Sequence, residues 1–419
     1  MELRPGYKLS EVGVIPEDWT TRALGDVGES LIGLTYKPED TADHGTLVLR
    51  ASNIKEGALR FDDNVYVKKT NIPERIMVRP GDVLICVRNG SRDLIGKTAL
   101  LDERTVGMTF GAFMAVFRSP AGRYVNYLFQ SDILRRQIHE HLGATINQIT
   151  NKSLNSFLIP LPPTEAEQRA IAAALGDVDA VLAGLDRMIA KKRDLKQAAV
   201  RQLLAGRTRL PDFNGEWEVK RLGELGIFLK GKGVKKDDAR TGNLPCIRYG
   251  ELYTHHNDYI RSFHSWISPA VAGTATRVKQ GDLLFAGSGE TKDEIGKCAA
   301  YADGFDAYAG GDIVILRLSS AHPLFMGYYC NTPPVNAQKA SKGQGDAVVH
   351  ISAAALSSVL VRLPSYPEQA AIAAVLSDMD AELSTLEARR EKTRALKQGM
   401  MQELLAGRTR LVPTGIVFA

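Results

Sequence analysis

The sequence predicts an α+β fold in two tandem copies, each a globular segment followed by one long helix. Three observations predict it. The octapeptide LLAGRTRL occurs at Leu203 to Leu210 and again at Leu404 to Leu411. Sliding the chain by about 201 residues then aligns QRAIAAALGDVDAVLAGL, from Gln168, with QAAIAAVLSDMDAELSTL, from Gln369, without a gap. Both of these stretches carry one narrow apolar stripe with charged flanks, the pattern of a coiled-coil seam. The repeat sets out residues 1–160 as a first globular domain, 161–209 as a first helical spacer, 210–362 as a second domain, 363–411 as a second spacer and 412–419 as a tail.

A chain of 419 residues with 44% hydrophobic and 24% charged residues has enough apolar surface for more than one core, and it lacks the composition of a disordered chain. The formal charge of +5 permits a polyanionic partner without requiring one. Cys86, Cys246, Cys298 and Cys330 show no CxxC spacing, which suits a reducing compartment and argues against a zinc ribbon or a disulfide framework. No metal site is expected. The opening MELRPGYKLSEVG has no apolar signal region, and no stretch reaches the roughly 20 apolar residues of a membrane span. A soluble cytoplasmic protein is the expectation.

The globular segments alternate short apolar runs with Gly and Pro, as in LVLRASNI at Leu47 to Ile54. Each ends in a helix-like stretch, YVNYLFQSDILRRQI in the first and LFMGYYCN in the second. Matching strings recur in both: VRPGDVLI from Val78 with VKQGDLLF from Val278, Ile95-Gly96-Lys97 with Ile295-Gly296-Lys297, Trp19 and LGDVG with Trp217 and LGELG, and Gln148-Ile149-Thr150 with His350-Ile351-Ser352. Between these strings the two copies differ freely, so the repeat preserves a scaffold and varies a surface.

The first spacer places Ile171, Leu175, Val178, Leu182, Leu185 and Ile189 on one stripe; the second places Ile372, Leu376, Met379, Leu383 and Leu386 there, and Arg390 and Thr393 then interrupt it. Acids come early (Asp177, Asp179; Asp378, Asp380) and bases late (Lys191, Arg193; Arg394, Lys397), as the helix dipole favours. Pro162-Pro163 and Pro367 mark the starts, and Gly206 and Gly407 are placed to cap the ends.

Several strings resemble catalytic motifs. FAGSG at Phe285 to Gly289 has the FxGxG form of an S-adenosylmethionine cradle, but it follows a duplicated strand signal and no helix signal comes after it. Asn331-Thr332-Pro333-Pro334-Val335 lacks the aromatic residue that an amino-methyltransferase motif stacks on its base, and a turn is the plainer reading. In HEHLG at His139 to Gly143 the histidines stand two residues apart, so they cannot share one helix face as zinc ligands. GKGVKK at Gly231 to Lys236 lacks the order of a phosphate loop and reads either as a phosphate-contacting loop or as a solvated one.

From VIPEDW at Val14 to the final LLAGRTRL, the chain resembles the specificity subunit of type I restriction-modification systems. IPEDW, the PGDVLI and QGDLLF strings, IPLPPTEAEQRAIAAAL with its partner VRLPSYPEQAAIAAVL, and the two octapeptides carry the resemblance. It implies two target-recognition domains, each reading half of a bipartite site in double-stranded DNA. It implies two helices packed antiparallel as a spacer; some 40 residues at ~1.5 Å each make about 60 Å, near two turns of B-DNA. It also implies two methyltransferase (modification) subunits as partners, which the pseudo-two-fold repeat would suit, and restriction or translocase subunits. S-adenosylmethionine, ATP and Mg would then sit on those partners, with no cofactor and no catalysis in this chain. The LVPTG tail resembles LPDFNG after Leu210, which predicts that the C-terminus meets the N-terminal segment.

For a DNA reader, the candidate contacts are polar and basic residues beside the matched strings: Arg50, Arg88, Asn89, Ser91, Arg92 and Lys97 in the first copy, and Arg248, Tyr249, Ser288, Lys292 and Lys297 in the second. Arg, Asn and Ser can read base edges, and Lys can anchor phosphates. Two competing expectations stand beside this one: a self-contained methyltransferase resting on FAGSG, and a coiled-coil adaptor that never touches DNA.

Overall fold

The computed structural model describes residues 4–68, 72–142, 147–302, 304–345 and 348–411. The chain forms two compact units, one of residues 1–186 with 388–419 and one of residues 187–387. The boundary falls inside both long helices, Glu165–Leu203 and Tyr366–Leu404. Each helix therefore contributes one half to each unit.

In the first unit, the strand Val83–Cys86 explains its own unbroken apolar run. Val83 and Ile85 point into one core with Phe117 and Leu128, while Leu84 and Cys86 point into another with Leu49, Phe110 and Val116. A strand buried on both faces needs no polar alternation. It lies between Thr98–Leu100 and Met114–Arg118, and Glu29–Ile32 completes this antiparallel sheet. A second sheet runs in the order Thr109–Phe110, Thr46–Leu49, Tyr66–Val67, Thr41–Ala42, with its first two strands parallel.

The second unit repeats both sheets. The antiparallel one runs Gly226–Lys230, Ile313–Leu318, Asp282–Ala286, Cys298–Ala300. The mixed one runs Ser265–Ile267, Leu244–Ile247, Ala307–Ala309, Thr276–Val278, with Leu244–Ile247 parallel to Ala307–Ala309. The PGD and QGD strings recur because their aspartates do the same work. Buried Asp82 accepts two hydrogen bonds from Arg118, at 2.9 and 2.7 Å, and buried Asp282 accepts two from Arg317, at 3.0 and 2.9 Å. Such forked pairs fix neighbouring strands in register.

The stretch YVNYLFQSDILRRQI is two helices, Gly122–Gln130 and Asp132–His141. Ser131 between them is extended; its hydroxyl donates to the Leu128 carbonyl at 2.7 Å and accepts from the Ile133 amide at 3.3 Å, ending one helix and capping the next. Asn331 to Val335, expected as a turn, leads into the helix Pro333–Lys342, because proline is well suited to a first helical turn.

The long helices pack antiparallel within each unit. In the first, Asp179 meets Lys397 at 2.7 Å and Asp186 meets Arg390 at 3.5 Å; in the second, Lys192 meets Glu382 at 2.6 Å and Lys196 meets Asp380 at 2.7 Å. Ile171, Leu175 and Leu185 are buried in the first unit, where Val178 and Leu182 are half-buried. Ile189, Ile372, Leu376, Leu383 and Leu386 are buried in the second, where Met379 is half-buried. Arg390, expected to interrupt the seam, does so by turning to Asp186 and Glu391. Thr393 bonds back to the carbonyl of Arg389 at 2.8 Å.

Five positions of the repeated octapeptide have the same role in both copies. Leu404 and Leu405 in the first unit, and Leu203 and Leu204 in the second, enter the cores. Gly407 and Gly206 end the helices at φ +67 and +65, and the amides of Arg408 and Arg207 reach back to the carbonyls of Glu403 and Gln202. The last arginine is a clasp. Arg410 forks onto Asp18 at 2.9 Å and onto buried Glu167, with its guanidinium 5.8 Å from the Trp19 ring centre. Arg209 forks onto buried Glu368 at 2.6 and 2.7 Å, 5.9 Å from the Trp217 ring centre. With the Tyr7 hydroxyl on the Gly407 carbonyl at 3.3 Å, the end of the second long helix meets the N-terminal segment as expected. The tail 412–419 lies outside the described residues.

Candidate nucleic-acid interface

Arg50 and Gly111 are brought side by side because the strands that deliver them, Thr46–Leu49 and Thr109–Phe110, run parallel; the Gly111 amide bonds the Leu49 carbonyl at 3.0 Å. The chain then turns, and the Phe113 carbonyl accepts from the amides of both Val87 and Arg88 at 3.1 Å. That contact fixes the start of the loop between Val83–Cys86 and Thr98–Leu100. On its other side, the Ile149 amide bonds the Val87 carbonyl at 2.8 Å, and Arg88 pairs with Gln148. Leu34 and Ala112 exchange with Phe110 and Leu34 at 2.7 and 2.9 Å, so the segment from Gly33 joins the same edge. Five chain segments thus converge at one end of the first globular domain.

The second domain repeats the convergence on its own residues. The Gly310 amide bonds the Ile247 carbonyl at 2.9 Å, beside Arg248, and the Gly287 amide bonds the Asp312 carbonyl at 2.6 Å. Ile351 bonds Gly287 at 2.9 Å, and Gly231, at the head of the basic GKGVKK loop, bonds Ile313 at 2.8 Å. Lys232, Lys235 and Lys236 are exposed there.

Most of the sequence-selected residues lie on these segments, in differing states. Arg88, Ser91 and Arg92 are exposed, and Asn89, Lys97 and Lys297 are half-exposed. Asn89 accepts from the Ser91 amide at 2.9 Å, and Arg92 donates to the His139 carbonyl at 3.1 Å. Arg50 is drawn to Asp63 at 2.9 Å, while Arg248 is held by Glu251 at 3.3 Å and Ser265 at 3.1 Å, so both guanidiniums are oriented by a neighbour. Tyr249 and Lys292 are exposed, the latter among exposed Glu290, Asp293 and Glu294. Ser288 departs from its expected surface position. It is 3% exposed, with its hydroxyl 2.9 Å from His350 Nδ1, and it serves as a latch under the loop.

Phe113 was not among the sequence candidates. It is 57% exposed, with the Arg88 guanidinium 5.0 Å from its ring centre. Selecting positions that match between copies passes over it, because Asp312 takes its place in the second. Of the lysines of GKGVKK, Lys235 has a counterpart in exposed Lys37, whose amide likewise caps a short helix, whereas Lys232 and Lys236 are confined to the second copy.

The catalytic look-alikes do not assemble. Phe285 and Ala286 lie in a strand, and Ser288–Gly289 pairs with Val349–His350 with no helix following before Cys298–Ala300. His139 and His141 lie in the helix Asp132–His141, with Gly143 outside the described residues. Among the described residues, no group of three or more His, Cys, Asp or Glu side chains is placed to hold a metal, and no helix is long and apolar enough to cross a membrane. All four cysteines are buried; burial, then the charge of Glu251, pushes the Cys246 thiol up to about 12. Such a thiol packs rather than reacts.

Comparison with known proteins agrees with this architecture. The model of the type I restriction modification DNA specificity domain matches residues 16–191 and again 214–395. The EcoKI specificity subunit of Escherichia coli K12 is 26% identical over 425 residues, covering 94% of this chain and 89% of that protein. A putative specificity subunit, MjaX, of Methanocaldococcus jannaschii is 24% identical and covers 97% of each. The crystal structure of the type I S subunit from M. genitalium shares the fold at a TM-score of 0.60 and 16% identity, over 96% of this chain and 99% of that one. A chain from a type I R-M system structure matches at 0.56 and 18% identity, covering 94% and 99%. The chain belongs to the type I restriction-modification DNA specificity family.

Proposed function

We propose that this chain reads a bipartite DNA site, one half with each globular domain, and carries that reading to catalytic partners. The observation that supports it most is the loop edge built twice on one framework: three of the hydrogen bonds that hold the segments recur in both domains, while the side chains they present differ. Phosphate contacts by exposed lysines would set affinity, and base contacts by the loop residues would set sequence. Residues 1–160 and 210–362 are the two readers in this proposal, and residues 161–209 and 363–411 the spacer between them. Two methyltransferase subunits, and restriction subunits beyond them, are the proposed partners. They would hold S-adenosylmethionine, ATP and Mg, and this chain would hold no cofactor, perform no chemistry and work in the cytoplasm.

The test is adenine-methylation mapping in a methylation-free host that expresses the neighbouring methyltransferase with and without this chain. One bipartite motif that depends on this chain is the expected result, and methylation unchanged by its removal would overturn the proposal. Exchanging residues 15–160 alone should change one half-site and leave the other. A self-contained methyltransferase would instead bind S-adenosylmethionine as the isolated chain, which calorimetry reads directly.

A further inference from the structure

Phe113 is the one large apolar side chain carried by the converging segments of the first domain that stands mostly in solvent, at 57% exposure among the described residues. Its backbone is not loose. The two amide bonds from Val87 and Arg88 onto its carbonyl hold it to the adjacent loop, and the strand Met114–Arg118 begins at the next residue. Arg88 lies over its ring at 5.0 Å and is itself tied to Gln148 through the backbone. A rigid, exposed aromatic ring topped by a guanidinium is not explained by the core, because neither group is buried there. Stacking also narrows the directions open to Arg88, as a base-reading arginine requires.

Resting on the DNA-reading proposal, we infer that Arg88 and Phe113 read one base step of the first half-site together: Arg88 a guanine, Phe113 the methyl group of the thymine beside it. The chemistry is specific to the major groove. Guanine offers O6 and N7 to a forked guanidinium, and the C5 methyl of thymine is the apolar feature of the groove floor. In the second domain Asp312 stands where Phe113 does, and Ser288, where Arg88 does, is buried under His350. The second half-site is therefore read at this step by other means, and the inference concerns the first domain alone.

The experiment uses the complete chain bound to its methyltransferase subunits and synthetic duplexes bearing the mapped motif. Each thymine of the half-site assigned to residues 1–160 is replaced in turn by deoxyuridine, which removes only the methyl group. With the unaltered chain, one thymine next to a guanine should prove sensitive, its replacement weakening binding about fourfold, the worth of one buried methyl. With Phe113→Ala the same replacement should cost nothing, and Arg88→Ala should relax the neighbouring guanine in the methylation map. If no thymine is sensitive, or if Phe113→Ala leaves the sensitivity intact, the inference fails while the DNA-reading proposal stands. If the unaltered complex shows no bipartite motif, the proposal beneath it fails as well.

Discussion

Lys339 in the second domain occupies the place that Ile138 occupies in the first, and the exchange shows how one scaffold position can be filled by opposite chemistries. Ile138 lies against Gly96, whereas the fully buried Lys339 ammonium donates to the carbonyls of Gly296 at 2.6 Å and Cys330 at 2.8 Å. Burial holds this ammonium below the usual lysine range, and two carbonyl partners keep it in place. Lys339→Ala removes the packing and leaves two carbonyls without a donor, so it should destabilise the protein by about 2–4 kcal/mol in urea unfolding. His256 supplies the pH dependence. Burial, reinforced by the charges of His264 and His255 against the opposing pull of Glu251, lowers its value from 6.5 to about 4. Between those values the unfolded chain takes up a proton that the folded one refuses. Stability from this group is complete above pH 6.5 and is lost as the pH falls toward 4, on the order of 3 kcal/mol in all. Unfolding midpoints measured across that range should slope downward for the native chain and flatten for His256→Phe.

Helix ends and seams were the elements most legible in the sequence, because period, charge order and capping glycines are local signals. The octapeptide marked a helix end, but not the clasp that makes it repeat: Arg410 must find Glu167 and Arg209 must find Glu368 across long stretches of chain. Breaking the first clasp with Arg410→Ala should cost about 3 kcal/mol, since Glu167 would be left buried without its partner. The two capping glycines should differ in sensitivity. A Cβ at Gly407 would lie 2.6 Å from the Pro16 ring, whereas one at Gly206 would lie 3.3 Å from Trp217. Gly407→Ala should therefore lower stability by about 2 kcal/mol or more and Gly206→Ala by about 1, as thermal melts would show. The loop edge was only half legible. Polarity pointed to Arg88 and Arg92, but it also pointed to Ser288, whose burial depends on His350, 62 residues away. Phe113 gave no sequence signal at all, since an apolar residue between strands ordinarily belongs to the core.

At the scale of the whole molecule, the repeat is the strongest signal: it predicts two α+β domains and a pair of long helices, while the two sheets inside each domain are legible only in the structure. The unit boundaries inside those helices were not readable, because periodicity tells which face is apolar but not which partner covers it. If the helices set the spacing between half-sites, as proposed, adding four residues to each at the unit boundary lengthens each by about one turn, ~6 Å. Methylation mapping of such a variant should return both half-sites unchanged with a longer gap between them. Altered half-sites with the old gap would contradict the spacer role.

The clasps also tie the two copies of the repeat to each other. Arg209 belongs to the first copy and binds Glu368 of the second; Arg410 belongs to the second and binds Glu167 of the first. Each copy thus holds the arginine for the other and the glutamate to receive it, so neither copy completes a clasp by itself, and the helix end that the octapeptide marks in one copy is secured only by the other.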